Sequence, residues 1–160
     1  MKKIIIGVVI VVILIIGIFI YLRLTNDDSF KEYESLDNNL KRGDSMVIKV
    51  SNGDNIIIYE LNDSTAATNL YNQLPLTLEV EDFSTNEKVF YPKSKLDISD
   101  TPLADGGSGI LAYYEPWGDV VMFYDSFNSN NSLYELGKVT NGEENIKKLS
   151  GEIVIERLEN

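Results

Sequence analysis

The sequence predicts a mainly β domain of the α+β kind, an antiparallel or mixed barrel of about eight strands with two short flanking helices, behind a separate N-terminal transmembrane helix. Three observations carry this reading. From Met46 onward the chain breaks into short runs rich in Val, Ile, Tyr and Phe, punctuated by Gly, Pro, Asn and Asp, with no strand–helix–strand rhythm. Residues 113–124 join two aromatic, β-rich runs through Glu115-Pro116-Trp117-Gly118, and both runs are apolar on both faces. Residues 4–22 contain no charged side chain and are dominated by Ile and Val.

That apolar stretch comes first. As a helix it spans about 28 Å, against a hydrocarbon core of roughly 30 Å. A cleaved signal peptide is the competing reading. The run exceeds the usual signal core of about 7–15 residues, and Leu22-Arg23-Leu24-Thr25-Asn26 offers no small-x-small cleavage site. Residues 1–24 are therefore expected to form an uncleaved signal anchor with membrane lipid as its partner. Lys2 and Lys3 orient it with the N-terminus cytoplasmic, as a single pass through the cell membrane that leaves the domain extracytoplasmic. Residues 25–45 read as a polar stem, and residues 46–160 as the barrel domain.

Within the domain, residues 46–50 and 55–61 form a hairpin across Ser51-Asn52-Gly53-Asp54, whose Asn-Gly pair suits the positive φ values of a tight turn. Asp63-Ser64 supplies an N-cap, and Ala66, Ala67, Leu70 and Leu74 recur at helical spacing before Pro75 ends the segment. Leu76, Leu78 and Val80 alternate with Thr77, Glu79 and Glu81, a strand with one wet face. Residues 84–87 turn the chain and 88–91 return it. Residues 92–102 are irregular and polar.

The glycine-rich stretch 105–109 lacks the Lys-Ser or Lys-Thr pair of a phosphate loop and the spacing of a nucleophile elbow, so it reads as a flexible entry into the next strand. Residues 109–114 and 119–124 then make the central hairpin. Val120, Met122 and Tyr124 point opposite to Val121 and Phe123, and Ile110, Ala112 and Tyr114 opposite to Leu111 and Tyr113. A strand apolar on both sides needs cover on both, from the barrel interior and from a helix, a loop or a partner. After a polar loop, residues 133–139 form a strand with Gly137 as a bulge. Asn141 is expected to cap a helix over 143–149, with acids in its first turn and Lys147-Lys148 in its last. Residues 152–158 supply the final strand.

Composition narrows the chemistry. Cysteine and histidine are both absent, which excludes disulfide scaffolds, thiolate or imidazole metal sites, thiol catalysis and histidine-based triads. The net charge is −11, although Lys2, Lys3 and Arg23 crowd around the apolar run. Such a domain repels nucleic acid and favours cationic partners.

The candidate ligand-binding residues are Trp117 and Tyr114 as an aromatic platform, Glu115 in the loop between them, and Tyr91 across from them. The competing reading makes these aromatics core. Glu79, Glu81 and Asp82 read as a solvated face, and Asp97, Asp100 and Asp105 lack the spacing of a calcium loop. No catalytic residue, metal or cofactor is expected.

Leu74-Pro75-Leu76, the run from Tyr113 through Pro116-Trp117-Gly118 to Val120, Phe123-Tyr124, Leu136-Gly137-Lys138-Val139 and Leu149-Ser150-Gly151 together resemble prokaryotic proteins with a cyclophilin-like domain. The resemblance covers nearly everything from Met46 onward and implies a closed barrel flanked by helices. It does not carry an activity with it. Active cyclophilins isomerise X-Pro bonds through an arginine in a Phe-His-Arg motif near a Gln-Gly-Gly-Asp segment, and both are missing here. The expected function is a membrane-anchored, non-catalytic binding or interaction domain, with a peptide, a small molecule or another membrane protein as partner. The alternatives are a hydrolase working through carboxylates and tyrosines and a divergent peptidyl-prolyl isomerase.

Overall fold

Short β-rich runs pair with their sequence neighbours wherever a tight turn allows it, and three hairpins arise this way in the computed structural model, which describes residues 45–158. Strands β1 (Val47–Asn52) and β2 (Asn55–Leu61) meet across a two-residue loop with Asn52 opposite Asn55. Gly53, at φ 59°, occupies the first loop position, where the primed turns need a positive φ. Asn52 itself stays in the strand. Strands β3 (Leu76–Phe83) and β4 (Glu87–Phe90) turn through Ser84, also at positive φ. Strands β5 (Ile110–Tyr114) and β6 (Asp119–Phe123) flank the loop 115–118, in which the Gly118 N–H donates to the Tyr114 carbonyl at 2.9 Å.

The remaining pairings are long-range. Strand β7 (Leu133–Asn141) lies between β2 and β5, β4 pairs with β6, and β8 (Gly151–Arg157) joins β3 to β1. The order β1-β2-β7-β5-β6-β4-β3-β8 closes into an eight-stranded barrel, antiparallel at every seam. The expected bulge falls in β7, where Leu111 pairs with Gly137 but Ala112 with Glu135, leaving Leu136 as the extra residue. Gly137 is required there. A Cβ would overlap the Glu60 carbonyl oxygen and come within 2.8 Å of the Leu61 Cα.

Helix α1 (Thr65–Asn72) follows its sequence signals. Ser64 Oγ accepts from the Ala67 N–H at 3.3 Å, and Ala66, Ala67 and Leu70 join the barrel core. The irregular segment after β4 is tied to this helix rather than loose. Asp100 accepts from the Thr65 N–H at 2.8 Å, Asn69 from the Asp97 N–H at 3.0 Å and Gln73 from the Ser94 N–H at 2.9 Å, while Leu96 is buried.

Helix α2 departs from expectation. It is one turn, Glu143–Ile146, and Asn141 is the last residue of β7 rather than its cap. Gly142 takes the cap position in the left-handed region, φ 76° and ψ 26°, because the chain turns against Ile56, whose carbonyl oxygen a Cβ would strike. Lys147 is the C-cap, so the lysines follow the helix instead of ending it.

The expected anchor over residues 4–22 and residues 25–44 of the expected stem lie outside the described residues. Among the described residues no helix is long and apolar enough to cross a membrane.

Candidate functional site

The two faces of the β5–β6 hairpin diverge as alternation dictates. Leu111, Tyr113, Val120 and Met122 point into the barrel core, where the Tyr113 hydroxyl accepts from the Leu96 N–H at 3.4 Å. Ile110, Ala112, Val121 and Phe123 build a second apolar cluster on the outer surface, with Val89 of β4 alongside. Loops cover it. Ala104 and Leu133 close one side, their backbones joined by an Ala104 N–H to Leu133 carbonyl bond at 2.8 Å. Phe127 comes down from the loop 125–132 and stacks on Phe123, with ring centroids 3.9 Å apart and planes 20° from parallel.

That cover is incomplete. Between the outer face of the sheet and the loop lies a cavity of about 620 Å³, partly open to solvent. This is within the range of small-molecule sites, roughly 300–1,000 Å³. Val121 and Phe123 contribute to its floor, and Phe127 and Leu133 line it from the loop side. Tyr114 and Trp117 also line it, from the tip of the hairpin. The indole of Trp117 reaches the ring of Phe83 at the end of β3, edge to face at 5.3 Å, and meets Tyr114 in the same manner at 5.5 Å. Gly118, at φ 74°, lets the chain reverse tightly enough to set the indole there.

Trp117 is 56% exposed, so the reading that makes it core does not hold. Tyr113 is the core aromatic of this pair, fully buried, while Tyr114 is half-buried on the outer side. Tyr91 (52% exposed) and Glu115, the other two candidates, fall outside the cavity lining. Glu115 instead secures the loop, its N–H donating to the Ser132 carbonyl at 3.1 Å.

The charged groups of the cavity, which Asn86, Ser126, Asn128 and Asn130 also line, are ones that sequence reasoning missed. Asp119 opens β6 on the same face as Val121 and Phe123 and is only 3% exposed. Its Oδ1 is buried with no hydrogen-bond partner. Burial pushes its carboxyl above the usual carboxylate range, an effect only partly offset by a hydrogen bond from its own N–H. Glu87 of β4, opposite Phe123 in the register, also lines the cavity and is raised by burial and then by the charge of Asp119. A signal for Asp119 existed in the sequence. A carboxylate in alternation with two apolar residues, on a face that must be covered, is a buried acid.

No cation answers these acids. Lys88, beside Glu87, points to the opposite face and is buried in an ion pair with Asp82 at 2.6 Å. Among the described residues no lysine or arginine lines the cavity, and no group of three or more Asp and Glu side chains is arranged to hold a metal. Asp97 and Asp100 commit their carboxylates to backbone N–H groups, and those bonds hold Asp100 below its ordinary range. Arg157, at the end of β8, packs against α1, its Nε donating to the Tyr71 carbonyl at 3.2 Å and its guanidinium over the Tyr71 ring at 4.7 Å.

Comparison with known proteins agrees with the barrel. The solution structure of the hypothetical protein AF2241 from Archaeoglobus fulgidus is similar, with a TM-score of 0.53 at 16% identity, covering 73% of this chain and 98% of that one. At such identity the likeness is one of fold. No curated protein matches the chain. The sequence model of the Cyclophilin-like family matches residues 50–156, from within β1 to within β8, and the chain belongs to that family.

Proposed function

We propose that the barrel is a non-catalytic binding domain, held on the outer face of the cell membrane by residues 4–22, and that its ligand enters the cavity on the outer surface of β4, β5 and β6. The observation that carries this reading is Asp119. A carboxylate oxygen buried without a partner costs stability, about 1–3 kcal/mol or more for a charged group. The fold gains nothing from holding one beside an aromatic-lined opening unless something else completes it.

The cavity also supports a second reading. Two carboxylates with raised pKa facing one space are the raw material of acid–base chemistry, which keeps the hydrolase alternative in view. Isomerase chemistry gains no such support, because Arg157 is committed to Tyr71 far from these acids in sequence and on a different element.

One experiment separates the readings. The full-length chain in non-ionic detergent is screened against peptide and carbohydrate arrays, with turnover of every bound compound followed by mass spectrometry. Binding without turnover is the expected result, and turnover abolished by both Glu87→Gln and Asp119→Asn would establish the hydrolase. Anchoring and orientation are tested on intact cells, where an added protease is expected to remove the domain while leaving residues 1–24 in the membrane fraction.

A further inference from the structure

We infer that the cavity takes an alkylammonium group, the positively charged nitrogen of a small amine or of a lysine side chain; this rests on the binding reading above and names its ligand class. The walls and the charges must be satisfied together. Phe83, Tyr114, Trp117, Phe123 and Phe127 line the space, Phe123 and Phe127 stacked on each other and Phe83 and Tyr114 edge to face with Trp117. Asp119 offers a buried oxygen that nothing in the protein hydrogen-bonds, and Glu87 adds a second carboxylate.

Neutral apolar molecules, anions and divalent metals each fail at least one of these requirements. A neutral apolar molecule would fill the aromatic space and leave the two acids of the lining, Glu87 and Asp119, without a counter-charge. An anion would face two acids with no lysine or arginine in the lining. A divalent metal takes about six to eight oxygen ligands as calcium or an octahedral set as magnesium, and among the described residues no group of three or more acidic side chains is gathered to hold one. An organic cation satisfies both halves, its charge against Asp119 and Glu87 and its methylene or methyl surface against the rings.

The ring geometry chooses between organic cations. Phe83 and Tyr114 stand at 82° and 85° to Trp117, so the aromatic walls lie in planes nearly at right angles. A rounded ammonium head meets walls in several planes at once. A flat guanidinium stacks best along one. The acidic surface, net −11 over the whole chain, adds long-range attraction for any such ligand.

Trp117 is the sole tryptophan, so its emission reports the site directly. The full-length chain in dodecyl maltoside, a detergent without an ammonium group of its own, is titrated with choline, with Nα-acetyl-lysine methylamide, with methylguanidinium, and with 3,3-dimethylbutan-1-ol, in which carbon replaces the choline nitrogen. Saturable emission changes are expected with choline or the lysine derivative, with at least tenfold weaker binding of the neutral alcohol and of methylguanidinium and at least a tenfold loss in Asp119→Asn. Of the two ammonium probes, the tighter identifies the source as a free small-molecule ammonium ion or a protein side chain. Glu87→Gln is expected to weaken binding by a smaller factor, and melting curves confirm that both variants are folded. Equal binding of the neutral alcohol, unaffected by Asp119→Asn, overturns the ammonium assignment and leaves the binding domain standing. Tighter binding of methylguanidinium overturns it in favour of the flat cation. No emission change with any probe overturns it too, and the array screen then decides the broader reading by itself.

Discussion

At the scale of single residues, Asp119 and Gly137 mark the two ends of what a sequence reveals. Asp119 is a local sacrifice of stability. Its raised carboxyl means that the folded state holds a proton to higher pH than the unfolded chain does, so its burden is full above the folded pKa and is relieved as pH falls through that value toward the ordinary carboxylate range near about 3.9. Asp119→Asn is therefore expected to stabilise the domain at pH 7 by on the order of 1 kcal/mol. Urea midpoints of the two proteins should converge as pH is lowered into the ordinary carboxylate range, and a variant less stable than the parent at pH 7 would contradict the unpartnered-carboxylate account. Gly137 has the opposite role. Any side chain there meets backbone rather than a yielding side chain, so Gly137→Ala should cost about 2–3 kcal/mol, read as a lower denaturant midpoint. Its place in a strand was legible because glycine inside a β run signals a bulge or a close approach. Gly142 was not, since a positive φ before a short helix leaves no mark that distinguishes it from an ordinary cap by Asn141.

At the scale of elements, the β5–β6 hairpin was readable in its faces and unreadable in its cover. Period-two alternation separates Tyr113 and Met122 from Tyr114 and Val121 without any structure. Nothing local says that Phe127, alone in a run of asparagine and serine, returns to stack on Phe123. The same holds for Glu87, whose importance comes from lying opposite Phe123 across the β4–β6 pairing. Two measurements test this arrangement. Being 56% exposed, Trp117 should emit at long wavelength and be quenched readily by acrylamide; a blue-shifted, protected emission would mean that the cavity is closed in solution. Phe127→Ala should cost about 1–2 kcal/mol, less than a fully buried phenylalanine because the ring is only partly covered. It should also hasten hydrogen exchange at the Leu133 N–H, which donates to the Asn130 carbonyl at 3.1 Å within that loop.

At the scale of the whole molecule, the barrel order follows from pairings that composition and periodicity do not encode. The three hairpins could be assigned from their turns, and the strand count could be assembled from the runs. The seams β2–β7, β4–β6 and β8–β1 depend on which edges remain when the hairpins have formed, and the expectation of closure came from the family resemblance. Removing β8 should expose both the β1 and β3 edges and take Ile153 and Ile155 out of the core. A chain ending at Ser150 is expected to lose cooperative thermal unfolding and to associate, as size-exclusion chromatography would register; a monomeric, cooperatively melting product would show that the seam is dispensable. The seam has a further consequence in the cell. Val50 faces Ile155 across it, so the first strand to leave the ribosome waits for the last. For nearly the whole of its synthesis the growing domain carries an unpaired sheet edge, and its protection during translation falls to chaperones or to speed.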